Sequence, residues 1–146
     1  MMKKLLTILA LVALFATTLN AQWTNTGAWP DTSWTGSTHG IAVDPDGKVW
    51  TAPYYNRVPW IVGEDTLMTS GIRVFNADGT EAPFSPVTTV ATGGGFIVDT
   101  LTGACRGMGT DENGNILYVQ SGSNKMFKIN YLTGEGMARA SIDEQG

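Results

Sequence analysis

Apolar and polar residues alternate along short stretches of this chain, and a Gly-containing turn closes each stretch. Ile41 and Val43 alternate before Asp44-Pro45-Asp46-Gly47, and Val49 and Trp50 follow it. The layout returns with Met108, then Asp111-Glu112-Asn113-Gly114, then Ile116, Leu117 and Tyr118. A two-residue period marks a strand with distinct faces. In the turns, Asp accepts a local hydrogen bond, Pro presets its own φ, and Gly tolerates positive φ. HGIAVDPDGKVW (residues 39–50) and RGMGTDENGNIL (residues 106–117) thus form two copies of one strand–turn–strand unit.

A second pair extends the match. GIRVFNADG (residues 71–79) parallels MFKINYLTG (residues 126–134), each with a basic residue, Arg73 or Lys128, beside Val74 or Ile129 and a closing Gly. The first motif repeats after 67 residues (39 to 106) and the second after 55 (74 to 129), which predicts a 12-residue insertion within residues 53–70 of the first copy. Strands are predicted at 40–43, 48–52, 71–75 and near 84–90 in the first unit. In the second they fall at 106–110, 115–119, 126–130 and near 137–142, with a further short strand at 96–98. Gly93-Gly94-Gly95 reads as a flexible joint. It lacks the Lys-Ser/Thr and helix of a phosphate cradle.

No helical periodicity follows residue 21, so the fold class is all-β. Four short antiparallel strands repeated at this spacing predict a β-propeller blade. Adjacent apolar positions, Val49-Trp50 and Ile116-Leu117, fit a sheet covered on both faces. The first blade spans about residues 39–104 and the second about 105–146. A closed propeller needs ~4–8 blades, so the expectation is a partial propeller, the N-terminal piece of a longer protein. A self-contained two-sheet β-sandwich is the alternative.

The N-terminus changes the setting. Lys3 and Lys4 precede an apolar run over residues 5–15 and a small-residue cleavage point at Ala21/Gln22, the pattern of a signal peptide. The run is shorter than the ~20 residues of a membrane span. Residues 1–21 are expected to be a helical leader, and the chain after cleavage to be secreted, periplasmic or at the cell surface, outside the membrane. Residues 22–38 form a loop-rich lead-in, with a short strand near Trp23 and irregularly spaced Trp29 and Trp34. Nine basic side chains less Lys3 and Lys4, against thirteen acidic ones, leave a net charge of −6. With no basic patch, nucleic acid and anionic membrane are poor partners.

Cys105 is the single cysteine, so no internal disulfide forms, and it reads as a small buried residue at a strand start. A catalytic thiol needs a base, and His39 is the sole histidine. No zinc-ligand spacing occurs. Asp44, Asp46, Asp111 and Asn113 have side chains of the type that bind calcium, but lack the further ligands of a calcium loop, and hairpin chemistry accounts for them. No cofactor is expected.

In a four-stranded blade, the turns at 44–47, 76–79, 111–114 and 131–134 share one end. The other end holds the entries to the first strands, at His39 and Arg106, together with the 53–70 insertion. This places His39, Tyr54, Tyr55, Arg57, Trp60, Arg106, Gln120 and Asn124 on or near one surface. Aromatic rings with amide and cationic donors suit a sugar or peptide segment. Ordinary loop packing is the competing account of the same residues.

The strand, Asp-x-x-Gly turn and apolar strand in GIAVDPDGKVW and GMGTDENGNIL resemble the repeats of NHL-type and gluconolactonase-like six-bladed propellers. The leader and LTGEG ending also look like exported propellers of the Bacteroidetes type, which often end in a type IX sorting domain. The resemblance covers roughly residues 40–136. It implies further blades of the same chain as partners. The metal site of the enzyme members draws ligands from several blades, so no catalytic residue carries over. Three functions stay open: a module binding a protein, glycan or cell-surface component; a metal-dependent lactonase- or lyase-like enzyme with catalytic residues in other blades; and a structural module of a larger surface protein.

Overall fold

The hairpin turns are built by their own side chains. Asp44 Oδ1 accepts the backbone N–H groups of Asp46 and Lys48 at 3.0 and 2.9 Å. Asp111 Oδ1 does the same for Asn113 and Asn115 at 2.9 and 2.8 Å. The backbone closes alike in both: Gly47 N–H donates to Asp44 O and Gly114 N–H to Asp111 O. Gly47 and Gly114 sit at φ 79° and 81°, where a side chain is strained.

The computed structural model describes residues 27, 29, 37–55 and 58–141. These contain strands and turns and no helix. The leader, the lead-in strand near Trp23, Trp34, Arg57 and residues 142–146 lie outside the described residues.

The first copy forms a three-stranded antiparallel sheet, β1 (Thr38–Val43), β2 (Val49–Pro53) and β5 (Arg73–Phe75), in the order β1-β2-β5. The second forms a four-stranded meander: β8 (Cys105–Thr110), β9 (Ile116–Gln120), β10 (Lys125–Ile129) and β11 (Gly136–Ser141). Two hairpins complete the described part, β3 (Val58–Val62) with β4 (Asp65–Thr69), and β6 (Thr89–Thr92) with β7 (Ile97–Thr100).

Four features depart from the sequence expectation. The insertion, in which the sequence marks no strand, forms the β3–β4 hairpin. The fourth strand expected near 84–90 shrinks to an isolated bridge, Ile72 to Val87, before Thr89 and Val90 enter β6. Pro83 and Pro86 carry no N–H to continue a ladder there. Gly93, Gly94 and Gly95 are the turn of the β6–β7 hairpin, at φ 62°, 72° and 90°, rather than a joint. Finally, strand pairing sets the repeat offset of the third strand. Thr51 pairs with Arg73 as Tyr118 pairs with Phe127, and Trp50 with Val74 as Leu117 with Lys128. The offset is therefore 54 (73 to 127), and Arg73 and Lys128 are not equivalent. The extra residue lies in the following turn, where Gly134 N–H reaches back to Asn130 O but Gly79 N–H only to Asn76 O.

One core joins the two sheets. It takes Ala42, Trp50, Ala52 and Val74 from the first and Ile116, Tyr118, Phe127 and Ile129 from the second. The equivalent positions alternate. Trp50 and Ile116 are fully buried, whereas Val49 and Leu117 are half-buried. The two copies thus present opposite faces to each other and stack front to back. A pseudo-two-fold sandwich would bury Trp50 and Leu117 together.

Strands β1 and β8 run side by side without pairing, and the close approaches fall on glycines. A Cβ on Gly40 would meet Cys105 Sγ and Met108 Cγ, and one on Gly114 would overlap the Pro45 ring. Each large buried side chain contributes ~1.5–3 kcal/mol, against ~0–1 kcal/mol for an exposed ion pair such as Lys48–Asp46. Apolar contact between the copies therefore dominates. The β6–β7 hairpin is pinned beside the second sheet by Asp99, which accepts from Lys125 Nζ at 2.5 Å and Arg139 Nη1 at 2.8 Å. Burial would push the Asp99 carboxyl up, but these two cations hold it below its ordinary range.

Candidate functional site

At the end of the sheets opposite the Asp turns, both copies carry a β-bulge at the same repeat position. Pairing jumps from Thr38–Pro53 to Gly40–Ala52 and from Cys105–Gln120 to Gly107–Val119. The unpaired residues are His39 and Arg106. A bulge re-aims the side chain it carries, and these two converge on Tyr54.

Tyr54 follows β2, and its N–H donates to Ser37 O at 2.8 Å, which fixes the chain as it leaves the strand. The Arg106 guanidinium lies over the Tyr54 ring, 5.1 Å from its centroid. The His39 ring meets Tyr54 edge-on at 5.0 Å, and Tyr55 stands at 90° to it at 4.7 Å. Such aromatic and cation–π pairs contribute about 0.5–1.5 kcal/mol each beyond burial. Tyr55 is 59% exposed. Beside the cluster is an open depression of about 470 Å³ lined by Tyr54, Tyr55, Thr102 and Ala104.

His39 Nδ1 lies 3.0 Å from Cys105 O. A carbonyl only accepts, so Nδ1 carries the proton, and Nε2 of the neutral ring is left as an acceptor. This contact also ties the bulge of the first copy to the first strand of the second. His39 is thus engaged with the Cys105 carbonyl rather than its thiol. The thiol is buried, donates weakly to Gly107 O at 3.8 Å, and is pushed up by burial, which disfavours the nucleophilic thiolate.

His39, Tyr54, Tyr55 and Arg106 therefore come together. Trp60 sits half-buried on β3, paired with Leu67 in the insertion hairpin. Asn124 is exposed in the β9–β10 turn at φ 48°. Gln120 points into the protein: its side chain is buried beneath Gly103, its Nε2 donates to Ser123 Oγ at 3.3 Å, and its Oε1 has no protein partner. It is not a surface donor, because the in–out alternation of β9 puts position 120 on the same face as Ile116 and Tyr118. Thr102 and Ala104, which line the depression, were not among the expected residues. They lie in the connection before β8, where no motif marks them.

The acidic turns have other occupations. Asp44 Oδ2 accepts Trp50 Nε1–H at 2.9 Å in the core, and Asp111 Oδ2 holds Lys128 Nζ at 2.5 Å. The Lys128 contact draws the Asp111 carboxyl down to about 2 against opposing burial, helped by Asn115 and Asn113. Among the described residues, no three His, Cys, Asp or Glu side chains converge as a metal site would require.

No protein-family model matches the chain, and comparison with curated proteins finds no significant relative.

Proposed function

We propose that the chain is part of an exported propeller-type repeat protein that binds a glycan of the cell surface or its surroundings through the Tyr54–Tyr55 end. One observation carries the reading: two repeat-equivalent bulges turn His39 and Arg106 onto the same aromatic pair beside an open depression. An exposed Tyr55 ring suits the C–H face of a sugar. The Arg106 guanidinium donates to hydroxyl oxygens, and His39 Nε2 accepts from a hydroxyl. The front-to-back stacking of the copies supports the propeller reading, since each unit then offers one face to its neighbour on either side.

The test is a titration of the leader-processed chain with neutral and uronic acid-containing oligosaccharides, followed by NMR shifts. Saturable shifts at Tyr54, Tyr55, His39 and Arg106 are expected, reduced at least tenfold in affinity by Tyr55→Ala. If Tyr55→Ala lowers the melting temperature but leaves binding intact, the cluster is loop packing and the proposal fails.

A further inference from the structure

Every described Lys and Arg side chain except one pairs with a carboxylate. Lys48 meets Asp44 and Asp46, Arg73 meets Glu81, Lys125 and Arg139 share Asp99, and Lys128 meets Asp111. The exception is Arg106. Its guanidinium has the Tyr54 ring for a neighbour, 5.1 Å from the centroid, and no carboxylate among the described residues. Acids are not scarce, since the chain has thirteen acidic side chains against nine basic ones. Placement makes the difference. The β8 bulge takes Arg106 out of the strand pairing and leaves it exposed at the end of the sheet. The cation–π contact holds it there and leaves its N–H donors for another acceptor.

A cation held in this way is a receptor for an anion. The fork of guanidinium N–H groups matches a planar carboxylate, and such charge-assisted pairs are the stronger hydrogen bonds. Holding the side chain on a ring beforehand lowers the cost of ordering it on binding. Position limits how the anion is carried. Tyr54 touches both the guanidinium and the exposed Tyr55 ring, at 5.1 and 4.7 Å. The charge must therefore sit on the sugar that stacks on Tyr55 or on the residue beside it. A uronic acid meets this condition, because its carboxylate is a substituent of the sugar ring itself. His39 commits Nδ1–H to Cys105 O, so its Nε2 accepts a hydroxyl and cannot take the carboxylate, which leaves the anion to Arg106.

We infer that the Tyr54–Tyr55 end takes an acidic glycan, with a uronic acid carboxylate on Arg106 and a hydroxyl of the same sugar or its neighbour on His39. This rests on the glycan reading above and adds to it the charge of the ligand.

Calorimetry on the leader-processed chain tests it with paired trisaccharides, trigalacturonic acid against galactotriose and cellotriuronic acid against cellotriose. Each pair shares its linkage and ring and differs in a carboxylate for a hydroxymethyl group. The unmodified chain is expected to bind at least one acid about tenfold more tightly than its neutral partner. Arg106→Gln should bring that acid down to the level of its partner. Lys48→Gln removes the same charge at the opposite end of the sheets and should leave the preference intact, with folding of both variants checked by circular dichroism. Equal binding of acid and neutral partner by the unmodified chain overturns the inference and leaves the glycan reading standing, and this comparison needs no variant. A preference that survives Arg106→Gln, or that Lys48→Gln also abolishes, overturns it as well, since the charge is then read elsewhere or by the molecule as a whole. Triglutamate binding as tightly as the acids through Arg106 would make the ligand an acidic peptide, against both readings. Binding of none of the four sugars overturns both together.

Discussion

Gly114→Ala is the sharpest probe of whether the two copies abut as described. Gly114 and Gly47 occupy the same place in equivalent turns, with φ 81° and 79°. Alanine in this left-handed conformation costs ~1–2 kcal/mol at either site. Their surroundings differ: a Cβ at Gly47 meets nothing within 4 Å, whereas at Gly114 it overlaps Pro45 Cγ and Cδ. Overpacking of this kind adds ~1–3 kcal/mol. Gly47→Ala should therefore cost about 1–2 kcal/mol and Gly114→Ala about 2–5 kcal/mol. Pro45→Ala removes the two clashing atoms and keeps Cβ, which lies at an ordinary 3.7 Å. In the Pro45→Ala/Gly114→Ala double variant the excess should disappear, giving a coupling of ~1–3 kcal/mol. Urea unfolding followed by circular dichroism, with m-values compared across the cycle, measures each term. Equal losses for Gly47→Ala and Gly114→Ala, or no relief from Pro45→Ala, would refute the packing of one turn on the other.

Three further outcomes are expected. Asp44→Ala removes the carboxylate from two backbone donors and from Trp50 Nε1–H; it should cost at least ~1.5–3 kcal/mol in the same urea assay, and a loss under 0.5 kcal/mol would contradict the buried Trp50 contact. Asp111 is held down to about 2, chiefly by Lys128, so its share of stability is present above the unfolded-state value near 4 and is lost as pH falls toward 2. Lys128→Met should flatten the fall in melting temperature between pH 4 and pH 2, and an unchanged slope would count against that pair. Cys105 is buried with its thiol pushed up, so a disulfide reagent should label it slowly at neutral pH in the native chain and rapidly in urea; fast native labelling would place the thiol at the surface.

The sequence alone determined what neighbouring residues decide among themselves. An Asp that accepts its own turn's N–H groups and a Gly that takes positive φ make a hairpin wherever they occur, so 44–47, 76–79 and 111–114 were legible, as were the strands they join and the all-β class. The shared position of His39 and Arg106 was legible too, because both precede the same motif. The β3–β4 hairpin was not: its residues are mostly exposed, Pro59 within β3 argues against a strand, and no in–out alternation survives to be read. The repeat offset of 54 was hidden because the Gly markers align at 55, and only strand pairing reveals a turn longer by one residue. Gln120 looked like a surface donor because the sequence does not say which face of β9 is covered.

That last point holds generally for this chain. Period-two alternation separates two faces of a strand without saying which meets the core, and both Val49-Trp50 and Ile116-Leu117 are apolar on both. Tertiary packing alone buried Trp50 in one copy and Ile116 in the other. It also aimed the two bulged side chains at Tyr54, since that convergence depends on where one sheet stands against the next.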